Sequence, residues 1–160
     1  MPPMKPWNAS STTTRKMNET IEKFGHPATL VADYHYWVVL LRPAQPTLGS
    51  LVLAAKSDAT AFSALPPPAF VELARAVSDI ESALRDAVSY ARINYLMLMM
   101  VDPNVHFHVI PRYEGERSAA GLTIADTGWP KLPVLGDAVE LDAGQIEALV
   151  DWLKGYWPKS

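Results

Sequence analysis

Asn104-Val105-His106-Phe107-His108-Val109-Ile110-Pro111-Arg112 alternates two kinds of side chain. Successive Cβ atoms of an extended chain point to opposite faces, so Val105, Phe107 and Val109 share one face while Asn104, His106, His108 and Ile110 share the other. The first set calls for a core and the second carries polar chemistry. The stretch therefore predicts a strand packed on one side, with a histidine pair on the other. Side chains two residues apart in a strand stand about 7 Å apart with the same aim, so both rings can reach one small group lying across the sheet. Imidazole, with an ordinary pKa of about 6.5, can serve at neutral pH as nucleophile, base or donor. A structural role for one or both rings is the plain alternative, and metal binding a third. A zinc site needs a further ligand. Neither His26, beside Pro27, nor His35, on a turn, is placed to supply one, so no metal and no other cofactor is expected.

Working outward, Ile93 to Met100 is apolar on both alternating faces, which predicts a strand in the middle of a sheet with Met97, Met99 and Met100 in the core. Asp102-Pro103 turns the chain into the histidine strand. Upstream, Phe70, Leu73, Val77, Ile80, Leu84, Val88 and Ala91 recur every three or four residues after Pro66-Pro67-Pro68, predicting a long helix from about Ala69 to Tyr90. Ala28 to Ala32 and Tyr36 to Leu41 read as a hairpin about Asp33-Tyr34-His35, and Ser50 to Ala55 as a third strand after a loop marked by Pro43, Pro46 and Gly49. Met17, Ile21 and Phe24 fall at helical spacing ahead of Gly25 and Pro27, giving a short helix over 15–24. Beyond Pro111 lies a long polar stretch through Gly115, Gly121 and Gly128. Asp142 with Gln145 then forms a capping box before the final helix of Ile146, Leu149, Val150 and Leu153. Strands in hairpins around one long helix predict an α+β fold, with an antiparallel sheet of about five strands, the long helix and a C-terminal helix.

At 160 residues the chain is most simply one domain. Residues 1–14, rich in Pro, Ser and Thr with little to bury except Trp7, read as a flexible arm, and 15–160 as a single domain. With 49% hydrophobic and 19% charged residues the composition is that of a packed globular protein. A net charge of −3 supplies no broad basic field, which argues against nucleic acid or an anionic membrane as partner. The absence of cysteine excludes disulfides, thiolate metal sites and cysteine nucleophiles. No apolar run approaches the roughly 18 residues of a membrane span, and the start is unlike a signal peptide. A cytoplasmic protein is expected.

The quoted stretch resembles the active-site strand of the histidine triad family, whose signature is His-φ-His-φ-His-φ-φ with φ apolar, often continuing into Pro-Arg. Val105 through Arg112 match it, and Asn104 stands where the family has its first histidine. The order of strand, Pro-rich loop, strand, long helix and strand upstream is also the family's, so the likeness covers about residues 15 to 112 and is nearest to the dinucleoside polyphosphate hydrolase-like branch. The resemblance implies that His106 attacks the α-phosphate of a nucleotide and forms a nucleotidyl-histidine, which water or another acceptor resolves. It implies that His108, Asn104 and Ser50 serve the substrate phosphate, with Ser50 standing where relatives commonly have a histidine. It also implies a homodimer acting on a nucleotide or dinucleotide. A nucleotide-phosphate hydrolase or nucleotidyl transferase is the expected function, and a catalytically weak nucleotide-binding or regulatory dimeric module is the alternative. Arg42, Arg112 and Arg117 are further sources of positive charge for a phosphorylated ligand, surface pairing being the plain reading of each.

Overall fold

The computed structural model describes residues 17–159, so the expected arm at 1–14 lies outside the described residues. In chain order the elements are α1 (Glu19–Lys23), β1 (Leu30–Asp33), β2 (Trp37–Leu41), β3 (Ala44–Gln45), β4 (Leu51–Ala55), α2 (Pro67–Val88), β5 (Arg92–Leu96), β6 (His106–Arg112), β7 (Glu116–Ala119), β8 (Leu122–Ala125), β9 (Val139–Glu140) and α3 (Ala143–Lys154). Five strands form one antiparallel sheet in the order β1-β2-β4-β6-β5. The fold is α+β, as the pattern of hairpins and helices predicts.

Every residue of β2 and of β4 is buried, because the sheet carries an apolar layer on each face. On one face Val39, Leu41, Leu51, Leu53, Val105 and Val109 pack with Ala76, Ile80 and Leu84 of α2 and with Leu149 and Leu153 of α3. On the other, Val38, Leu40, Val52 and Ala54 pack with Ile21 of α1, flanked by Met17, Phe24 and Leu30. Alternation along β2 therefore divides one continuous apolar run between two layers.

The long helix begins at Pro67, where a missing amide proton costs nothing. It ends at Ser89, whose φ of 49° breaks the helical path. The predicted capping box is present at α3, with the Asp142 side chain accepting from Gln145 N–H and the Gln145 side chain accepting from Asp142 N–H. Gly49 sits at φ +91° with Leu84 Cδ2 only 3.1 Å from where a Cβ would stand. A side chain there would meet both backbone strain and the flank of α2.

The expectation of a central strand at 93–100 is corrected. β5 covers only Arg92–Leu96 and is the last strand of the sheet. Met97 and Met99 pack against the core, but Met100 is 85% and Val101 81% exposed. Apolarity on both faces marked this segment as central, whereas no described strand pairs with its outer edge and its far end leaves the sheet. The polar stretch after Pro111 holds a second hairpin, β7 with β8, and β9, which pairs with β3. At the C-terminus the indole Nε1 of Trp157 donates to Tyr34 Oη at 3.0 Å, and that hydroxyl donates to Asp79 of α2 at 2.7 Å.

Candidate active site

β6 carries the site because its two faces do different work. Val105 and Val109 are fully buried in the α2 layer, which turns His106 and His108 onto the opposite face. There His106 lies beside Ala54 and His108 beside Val52 of β4. Pro111 is tolerated within β6 because pairing with β4 ends at Val109, so the missing donor faces no partner carbonyl. Both rings are covered: His106 is 1% and His108 7% exposed. Phe24, at the end of α1, stands over them with its ring centroid 5.7 Å from His106 and 5.6 Å from His108. The two imidazoles meet edge to face at 5.1 Å.

Their hydrogen bonds differ. Nδ1 of His106 lies 2.7 Å from the backbone carbonyl of Asn104. A carbonyl only accepts, so Nδ1 carries the proton and, in the neutral ring, Nε2 holds the lone pair. Nδ1 of His108 instead accepts from Nε of Arg42 at 3.3 Å, which leaves the proton of that ring on Nε2. Burial, reinforced by the charge of Arg42 and by His106, pushes the His108 pKa down to about 4, against a smaller opposing pull from Asp102. His108 is thus neutral at physiological pH. The pair presents one Nε2 lone pair and one Nε2–H donor.

Asn104 is buried, and its side chain is engaged within the protein. Oδ1 accepts from the Thr20 hydroxyl at 3.0 Å, and Nδ2 donates to the carbonyl of Asp58 at 3.0 Å. It fastens α1 to the loops beside β6 while its own carbonyl orients His106. Ser50 is also fully buried. Its hydroxyl donates to the carbonyl of Thr47 at 2.9 Å and lies 3.0 Å from the Thr47 hydroxyl, so its partners are those of the β3–β4 loop.

Of the three arginines singled out in the sequence, only Arg42 reaches the histidines. Arg112 forms a buried bidentate pair with Asp126, Nε to Oδ2 at 2.7 Å and Nη2 to Oδ1 at 3.1 Å. Arg117 donates to the carbonyl of Val88 at 2.7 Å and lies over the ring of Tyr113. Sequence reasoning missed Thr20 and the cover made by Phe24. It gave Phe24 an apolar helix face but could not say what that face covers. Among the described residues no group of three or more His, Asp or Glu side chains is arranged to hold a metal ion.

No protein-family model matches the sequence, and no curated protein matches it. Solved structures do match. A histidine triad protein of Sinorhizobium meliloti 1021 superposes with a TM-score of 0.69 at 21% identity, over 90% of this chain and 98% of that one. A histidine triad protein of Bradyrhizobium japonicum gives 0.63 at 17% identity, over 89% and 97%. The diadenosine triphosphate hydrolase of Plasmodium falciparum, solved in complex with Cyclomarin A, gives 0.60 at 10% identity, over 81% and 76%. The chain has the fold of these proteins.

Proposed function

We propose that this protein is a nucleotide-phosphate hydrolase or nucleotidyl transferase that works through a covalent nucleotidyl-histidine at His106. The observation that carries the reading is the opposite hydrogen bonding of two adjacent rings on one strand face. His106 offers an Nε2 lone pair and His108 an Nε2–H. That is the requirement of phosphoryl transfer at a covalent centre: one atom to attack and one donor to steady the charge on the phosphate oxygens.

In the first step Nε2 of His106 forms a P–N bond to the α-phosphorus, and the bond to the leaving group breaks with its electron pair. The proton stays on Nδ1, donated to the Asn104 carbonyl, which offsets positive charge as the ring becomes substituted. In the second step water attacks the same phosphorus, the P–N bond breaks, and its electron pair returns to Nε2. The proton of the attacking water is left to solvent. A transferase differs only in the acceptor. Likeness to structures that include a diadenosine triphosphate hydrolase supports a nucleotide as substrate. The unpaired edge of β5, next to exposed Leu98, Met100 and Val101, supports a homodimer.

A second reading, a nucleotide-binding or regulatory dimeric module with weak turnover, is favoured by the near-complete burial of both rings beneath Phe24. Incubation with dinucleoside polyphosphates and nucleoside phosphoramidates, with mass spectrometry of the products, separates the two. Release of mononucleotide supports the enzyme, and tight binding without release supports the module.

A further inference from the structure

Arg42 continues the β2 face that carries Val38 and Leu40, the face of the histidines. Its N–H donates to the carbonyl of Ser50, which sets it two residues beyond the level of His108 and on the side away from His106. β4 lies between β2 and β6, so the side chain crosses a whole strand to reach His108. The guanidinium is fixed at two points, Nε on His108 Nδ1 at 3.3 Å and Nη1 on the carbonyl of Ala44 at 2.6 Å.

Three features make this more than a structural contact. Among the described residues no carboxylate lies within ion-pair distance of Arg42; Glu140 acts on it only from farther off, and the groups that hold the half-buried cation by hydrogen bonds are all neutral. Nη2 has no hydrogen-bond partner among those residues, and it is not sealed from solvent. In a planar guanidinium Nη2 points to the same side as Nε–H, here toward the His108 ring. The site therefore holds one fixed positive charge beside a neutral donor, with a free N–H edge, displaced from the attacking atom by the width of His108.

We propose that Arg42 is the anion anchor of this site, and that the preferred substrate carries a second phosphoryl group beside the one His106 attacks. The inference rests on the reading given under Proposed function. His108 Nε2–H holds the reacting phosphate, and Arg42 Nη2 holds the second group on the far side of the His108 ring. That group belongs either to the phosphate chain or to a phosphorylated sugar, since both present the same anion.

Binding at equilibrium tests this without turnover. The full chain and its Arg42→Gln and Arg42→Lys variants are titrated with AMP, with α,β-methylene-ADP and with adenosine 3′,5′-bisphosphate. One of the two doubly phosphorylated probes is expected to bind the natural protein about tenfold or more tightly than AMP, a gain typical of one charge-assisted contact. Arg42→Gln should erase that gain, read as the ratio of the affinities for the doubly phosphorylated probe and for AMP, whatever AMP itself loses with the contact to His108, and Arg42→Lys should keep part of the ratio. The probe that shows the gain identifies the source of the second phosphate. Equal affinity for all three probes in the natural protein, or no binding of any, overturns the anchor. So does an Arg42→Gln variant that keeps the ratio, weakening AMP and the doubly phosphorylated probes by the same factor or not at all, as an arginine that only orients His108 would. Product release by the natural protein with the His106→Ala control is read separately, so a failed anchor leaves the covalent reading standing.

Discussion

The carbonyl of Asn104 and Nδ1 of His106 meet at 2.7 Å, so the residue two places before the proposed nucleophile acts on it through its backbone while its side chain is turned elsewhere. The orientation of His106 thus survives a change of side chain at 104, and the two contributions of Asn104 can be separated experimentally.

Replacing Asn104 with Ala should leave the Thr20 hydroxyl and the Asp58 carbonyl without their side-chain partner. The expected loss is about 1–3 kcal/mol of folding stability, read by urea denaturation, with the affinity for AMP little changed. A large loss of AMP affinity at unchanged stability would return Asn104 to the phosphate.

On the proposed mechanism, His106→Ala should abolish turnover in a folded protein, and rapid quench of the natural protein should show an acid-labile mass increase of one nucleotidyl group that the variant lacks. His108→Ala should retain the adduct and lose about 2–3 kcal/mol of transition-state stabilisation, the usual effect of removing one donor. Turnover that persists in His106→Ala would end the covalent mechanism.

Because Asn104 has no ionisable proton and His108 is neutral, neither is an acid ready to protonate a departing amine. Leaving groups that depart as stable anions should be favoured, so a dinucleoside polyphosphate should react with a higher kcat/KM than the phosphoramidate of the same nucleoside. Competition between the two in one reaction, read by mass spectrometry, checks this. A preference for the phosphoramidate would require an acid at the site.

The depressed pKa of His108, about 4 against an ordinary value of 6.5, makes stability depend on pH. Between those values the unfolded chain binds a proton that the folded protein excludes. The contribution is full above about pH 6.5 and is lost as pH falls toward about 4. The melting temperature should therefore drop between pH 7 and pH 5, and His108→Gln should flatten the drop. An equal drop in both proteins would mean that His108 is not held neutral.

Arg112→Ala should destabilise the fold by about 3–5 kcal/mol by leaving Asp126 buried and unpaired, as measured by chemical denaturation. Asp126 also accepts from the N–H groups of Tyr113 and Gly128, so the loss extends to the turn after β6.

Elements whose pattern reports a local property were legible in the sequence: α2 from its apolar stripe, α3 from its capping box, and β6 from the division of Val105, Phe107 and Val109 from His106 and His108. β5 was misplaced because an apolar run records that a segment is covered, and strand neighbours are set by chain topology. The same limit hid β3 and β9, two residues each, whose pairing joins positions 44–45 to 139–140. At the site the histidines were legible because their spacing is local. The grip of Arg42 on His108 spans 66 residues, and that of Thr20 on Asn104 spans 84. No periodicity encodes contacts of that range.

β5 closes one side of the sheet, paired with β6 alone among the described strands. In an antiparallel pair alternate amides point away from the partner strand. Along Arg92–Leu96 the isotope exchange of backbone protons in heavy water should therefore split in an isolated chain, slow toward β6 and fast on the outward side. A second chain joined at that edge would slow the outward set as well, so the exchange pattern of five residues reports on self-association from within the backbone itself.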